Sequence, residues 1–210
     1  MSKFLYVLDP GHGGIDPKTD KYTTAGKRSP KFDDGSILYE GVNNRVIVEM
    51  LQKALDYDGI SAINIVDSYV DVPLGERVRR ANELGREHKC VYISIHSDAF
   101  GNGKEWTSPS GLSVYTSKGQ TKSDIFADHV VKELMCNFEE EVKWRLDRTD
   151  GDLDKEANFY VLRKTSMPAI LCELGFHTNK EEATKMLTLE WKNKVVKSIV
   201  DAIKIWELEN

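Results

Sequence analysis

No window of this sequence approaches the ~18 apolar residues of a membrane-spanning helix, so stable membrane association is not expected. Cysteine is scarce and odd in number: Cys90, Cys136 and Cys172 stand far apart. That excludes a dense disulfide framework, and no C-x-x-C pair is available for a structural zinc. Cys90 and Cys172 lie in apolar runs and read as buried free thiols. Positive charge is also short, with 29 Lys and Arg against 34 Asp and Glu for a formal net charge of -5. A general phosphate-backbone binder needs a basic face, so no nucleic-acid partner is expected. The beginning carries no signal-peptide pattern: Met1-Ser2-Lys3 leads into a very short apolar run with Asp9 close behind. Synthesis in a cytoplasm is the expectation. There is no H-E-x-x-H, and no H-x-x-E either, since Ile15 stands where that glutamate would be.

What is present suits a substantial core. The 210 residues are 40% apolar and 30% charged, and no linker or internal repeat divides them, so one domain covering 1–210 is expected. Phe4 to Leu8 reads as a strand buried on both faces, ended by Asp9-Pro10-Gly11-His12-Gly13-Gly14. A long polar stretch follows, Ile15 to Tyr39, which has neither hydrophobic period. It is either a functional loop or an insertion.

Helical spacing marks a stripe through Val46, Ile47, Met50, Leu51, Ala54 and Leu55, capped by Asn43 or Asn44 and closed by Gly59. Ile60 to Val66 reads as a strand. A helix spans about Leu74 to Glu87, with Arg77, Arg79, Arg80 and Arg86 on a solvated face. Cys90 to Ile95 is the next strand, ending in His96. Leu112 to Tyr115 is a strand, and Ser123 to Phe138 a helix with Ile125, Phe126, Val130, Leu134 and Phe138 inward. Glu139 through Ala157 shows no clear element. Phe159 to Leu162 reads as a short strand, and Ala169 to Cys172 as another that ends in Glu173. Helices Glu181–Leu187 and Trp191–Leu208 close the chain. Strands alternating with helices imply an α/β fold: a single domain with a mixed, mostly parallel sheet flanked by helices on both faces.

Four residues share one address. His12 and His96 follow strand ends, Glu173 ends the last strand, and Glu40 lies at a helix start. Parallel strands bring their C-terminal ends to one edge, where such folds place ligands. Two imidazoles and a carboxylate make a three-ligand zinc set with a position open for water, whose pKa zinc lowers toward ~7. A second carboxylate can take the water proton and return it to a leaving amine, which is amide hydrolysis. The bland readings stand beside this one: Glu40 as a partner of its helix dipole, and Glu173 as a capping or ion-paired residue.

The chain resembles the zinc-dependent N-acetylmuramoyl-L-alanine amidases of the type 3 family. The matching pieces are L-D-P-G-H-G-G at 8–14, Y-E-G-V-N-N-R at 39–45, L-G-E-R-V-R-R-A-N at 74–82, Y-I-S-I-H-S-D-A at 92–99, F-Y-V-L-R at 159–163 and M-P-A-I-L-C-E-L-G-F-H-T-N at 167–179. The resemblance implies His12, Glu40 and His96 as metal ligands and Glu173 as the catalytic base. It implies Zn2+ as cofactor and cleavage of the amide between N-acetylmuramic acid and L-alanine in peptidoglycan. A monomer acting on the cell wall after release is expected. The T-A-G-K-R-S-P run at 24–30 resembles phage-type members, which suggests an endolysin-like protein. The rival readings are a zinc peptidase cutting within the stem peptide and a non-catalytic wall-binding module.

Weaker candidates surround these four. Asp9 either orients a metal histidine or caps its turn. Lys27 and Arg28 either hold stem-peptide carboxylates or are solvated. Asn158 and Arg163 flank the presumed cleft, His177 is expected to line it, and His88 and His129 are expected to have no role.

Overall fold

Alternation along three neighbouring strands sets the layers. In the computed structural model, which describes residues 2–139, 141–149 and 151–210, β1 (Leu5–Pro10), β5 (Cys90–Asp98) and β8 (Ala169–Phe176) lie side by side and parallel. The remaining strands are the short pair β2 (Ile15–Asp16) and β3 (Lys21–Tyr22), then β4 (Ala62–Asn64), β6 (Leu112–Thr116) and β7 (Lys155–Glu156). The main sheet runs β4-β1-β5-β8-β6-β7, with only β6 antiparallel to its neighbour β8. The expected single-domain α/β fold with a mixed, mostly parallel sheet is what forms.

Side chains two apart share a face of a strand. Tyr6 and Leu8, Val91, Ile93 and Ile95, and Ile170, Cys172 and Leu174 therefore point to one side. There they meet α1 (Glu40–Tyr57), α3 (Lys122–Phe138) and α6 (Leu189–Glu209), which supply Leu51, Phe126, Ile199 and Trp206 to the larger core. Val7, Tyr92, Ala169 and Leu171 point to the other side. That smaller core is closed by α2 (Leu74–Glu87) and α4 (Tyr160–Lys164). α5 (Lys180–Leu187) packs beside α6. No helix among the described residues is long and apolar enough to cross a membrane. Cys90 and Cys172 are buried free thiols, as expected, and Cys136 is exposed.

Several elements differ from the sequence expectation. Phe159–Leu162 is not a strand; Tyr160–Lys164 is a helical turn that packs against α2 and pairs with no strand of the sheet. Asn43 and Asn44 do not cap α1. The helix begins earlier, at Glu40, and both asparagines are buried inside it. Val46 and Ile125 are exposed at the edges of their helical stripes. The strand expected over 60–66 is paired only over Ala62–Asn64. The 15–39 stretch contains the β2–β3 hairpin, and β7 lies in the 139–157 segment, where Glu140 and Asp150 fall outside the described residues.

Candidate metal and catalytic site

The parity that places Tyr92 in the smaller core carries Ser94 and His96 to the same face of β5. On β8 it carries Leu171 and Glu173. His96 and Glu173 are direct register partners on these two parallel strands. Each lies within its strand rather than after it, so the β5–β8 ladder fixes their spacing.

His12 arrives from the turn after β1 with φ at 64°, a left-handed backbone that a non-glycine residue adopts at a cost. Hydrogen bonds hold it there. Gly11 N–H donates to Ile95 O (2.9 Å), Gly14 N–H to Tyr69 O (2.7 Å) and Gly13 N–H to Thr24 Oγ1 (2.8 Å). Gly11 is required by closeness: a Cβ there would stand 2.1–2.5 Å from the His96 ring. Glu40 is the first residue of α1, and Tyr39 offers no side-chain cap. The 15–39 loop supplies the missing partners, since Glu40 N–H donates to Lys27 O (3.0 Å) and Gly41 N–H to Tyr22 Oη (2.9 Å).

His12, Glu40 and His96 thus converge. Their possible ligand atoms all lie within 4.8 Å of one another, a group that could hold a metal ion. Glu40 Oε1 lies 3.0 Å from His96 Nδ1 and accepts from Ser97 N–H at 3.1 Å. Glu40 Oε2 lies 3.3 Å from His12 Nε2 and is buried with no hydrogen-bond partner. An orphaned carboxylate oxygen beside the His12 imidazole, in a two-nitrogen and one-oxygen donor set, fits a zinc-type ion.

Burial opposes charge on Glu40, yet the adjacent imidazoles of His12 and His96 hold its carboxyl well below the usual range. Burial also works against charge on His96, and the Glu40 hydrogen bond and charge outweigh it, raising that pKa. Glu173 is different. Burial pushes its carboxyl up to about 8, opposed by the His96 charge and reinforced by Glu40 and Asp98, with Lys27 pulling it down. Its Oε2 is buried without a hydrogen-bond partner. Gly11, His12, Lys27, His96 and Glu173 open on one cleft of about 540 Å³, walled by Val72, Pro73, Leu74, Phe159, Tyr160, Val161 and Leu171.

The neighbouring candidates sort themselves. Asp9 neither orients a metal histidine nor caps its turn. It is buried against Arg77, accepts from Tyr92 Oη (2.5 Å) and lies 2.9 Å from Ser94 Oγ. Arg77 is not on a solvated face but 2% exposed, and it donates to Val72 O (2.7 Å), Pro10 O (2.8 Å) and His12 O (3.0 Å). The sequence did hold a signal, because Arg77 stands four before Ala81 and seven before Leu84 on the inward stripe. His177 does not line the cleft. It is buried behind Glu40, with Nδ1 3.8 Å from Glu40 Oε2 and 3.0 Å from Ser97 Oγ. Arg163 sits over the Tyr160 ring at 5.9 Å. His88 follows the end of α2, and His129 pairs with Glu209 at 2.8 Å.

A type 3 amidase family model, described as N-acetylmuramoyl-L-alanine amidase, matches residues 7–205. The chain belongs to this family. Among curated members, an uncharacterized cell wall amidase of Bacillus anthracis is 29% identical over 208 residues, 94% of this chain and 34% of that protein. The amidase AmiA of Salmonella typhimurium is 26% identical over 234 residues, 96% of this chain and 75% of that one. The crystal structure of an N-acetylmuramoyl-L-alanine amidase from Clostridium difficile 630 superposes with a TM-score of 0.78 at 25% identity. That match covers 100% of this chain and 99% of the other. The amidase fold therefore extends over the whole chain.

Proposed function

We propose that residues 1–210 form one zinc-dependent catalytic domain that hydrolyses the amide between N-acetylmuramic acid and L-alanine in peptidoglycan. One observation carries the reading: of three convergent metal-type ligands, His12 and His96 share a cleft with a buried carboxylate, Glu173, that has no hydrogen-bond partner at one oxygen. His12, Glu40 and His96 would hold the ion. Bound there, zinc supplies Lewis acidity toward a carbonyl and toward water.

The remaining steps belong to the chain. Glu173 is the general base: it takes the proton of the attacking water and delivers it to the nitrogen of the leaving L-alanine. Burial raises its pKa, which favours holding the proton between the two transfers. Glu40, ionised and fixed by Ser97 N–H, orients the His96 ring. Leu171 and Val161 keep the floor of the cleft apolar. The endolysin-like run at 24–30 extends the proposal to a lytic setting, in which purified cell walls lose turbidity.

Replacing Glu173 with Gln should leave zinc stoichiometry intact and lower turnover by about 10²–10⁴-fold. Mass spectrometry of digested muropeptides should show intact stem peptides with a free L-alanine amine. Fragments cut within the stem would instead make the protein a peptidase. A Glu173→Gln protein of normal rate would remove Glu173 from the mechanism.

A further inference from the structure

Charges along the cleft are nearly all paired. Asp9 is held by Arg77, Asp71 lies 3.5 Å from the same guanidinium and accepts from Thr24 Oγ1 at 2.6 Å, and both histidines face Glu40. Two charges are not paired: the Glu173 carboxylate, kept for the chemistry, and Lys27. Lys27 is exposed, lines the cleft with Glu173 and His12, and makes no ion pair among the described residues. Its backbone is nonetheless fixed in place. Its carbonyl accepts from Glu40 N–H, and the next residue, Arg28, bridges to Tyr39. Its ammonium therefore swings from an anchored root beside the first turn of α1, on the rim of the cleft.

The two sides of the proposed substrate differ in charge. The sugar side of the scissile amide is neutral, whereas the stem peptide carries free carboxylates. Resting on the amidase reading above, we propose that Lys27 is a specificity-determining residue that pairs with a carboxylate of the stem peptide. The wall of Leu74, Phe159 and Tyr160 offers that carboxylate no cation. Lys27 therefore discriminates stems whose second residue keeps a free carboxyl from stems in which it is amidated.

The test compares disaccharide pentapeptides that carry the free acid or the amide at that position. Wild-type protein should favour the acid by about fivefold in kcat/KM, the scale of one exposed ion pair, and mainly through KM. Lys27→Gln should bring the ratio close to one, and Lys27→Arg should largely restore it. An unchanged ratio in Lys27→Gln overturns the proposal. So does a displaced pH profile at an unchanged ratio, which would mean that Lys27 acts only through Glu173. Calorimetry with the free stem pentapeptide, acid and amide, keeps the two readings apart. If the wild-type protein cleaves neither substrate, the amidase reading fails, and Lys27 is then judged on whether its removal abolishes the acid preference in binding.

Discussion

Arg77 joins parts of the chain that lie far apart in sequence: the Asp9 carboxylate, the carbonyls of Pro10 and His12, and Val72 at the approach to α2. Truncating one partner of a buried ion pair leaves the other charge uncompensated, at a cost of about 3–5 kcal/mol. Arg77→Met should lower stability by that amount in urea titrations. Because the lost donor also holds the His12 carbonyl, zinc affinity should fall as well. Arg77→Lys keeps the charge but not the fork, so its zinc affinity should lie between the two. Gly11→Ala probes the same turn from the other side. The added methyl would overlap the His96 ring, so zinc binding should be lost while the far-ultraviolet circular dichroism spectrum stays near wild type. A Gly11→Ala protein that binds zinc normally would show that the ring can move aside without consequence.

At the scale of elements, the central strands were readable because their apolar runs have no competing pattern. β1, β5 and β8 appear where Phe4–Leu8, Cys90–Ile95 and Ala169–Cys172 place them. The convergence of His12, Glu40, His96 and Glu173 followed from the rule that parallel strands end on one edge. Phe159–Leu162 was misread because four apolar residues in a row fit a strand and a helical turn equally well. The start of α1 was misread because its capping partners are tertiary. Tyr22 and the Lys27 carbonyl come from a loop that no local rule connects to Glu40. Residue type alone points Arg77 to solvent, whereas its spacing matches the buried stripe. The same loop gives a prediction at this scale. Tyr22→Phe removes the acceptor for Gly41 N–H and should reduce zinc affinity with little change in the melting temperature of the sheet.

Across the whole molecule, one buried acid sets a pH dependence remote from the cleft. Asp154 accepts from Thr116 Oγ1 at 2.7 Å, while its other oxygen has no hydrogen-bond partner. Burial foremost, the Thr116 bond notwithstanding, and the charges of Asp152, Asp124 and Asp128 raise its pKa from 3.8 to about 7. Between those values the folded state holds a proton that the unfolded state has released. Stability therefore falls as pH rises through that window. Asp154→Asn removes this contribution, so denaturant titrations should show a smaller loss between pH 5 and pH 8 than wild type. Equal losses would place the pH dependence elsewhere.

The register pairing of His96 with Glu173 has a consequence for how the protein fails. These two residues belong to the β5–β8 ladder and can separate only when the sheet opens. His12 and Glu40 depend on a peripheral loop whose hairpin exposes Lys18 and Lys21 to proteases. Local opening free energies differ between such regions. The proposed active centre is thus half bedrock and half scaffold. If the proposed site binds zinc, a tryptic nick at the hairpin should release it from a molecule whose sheet is still folded, a loss that cooling or refolding does not reverse. Zinc content measured beside tertiary-structure signals during limited digestion would separate the two tiers.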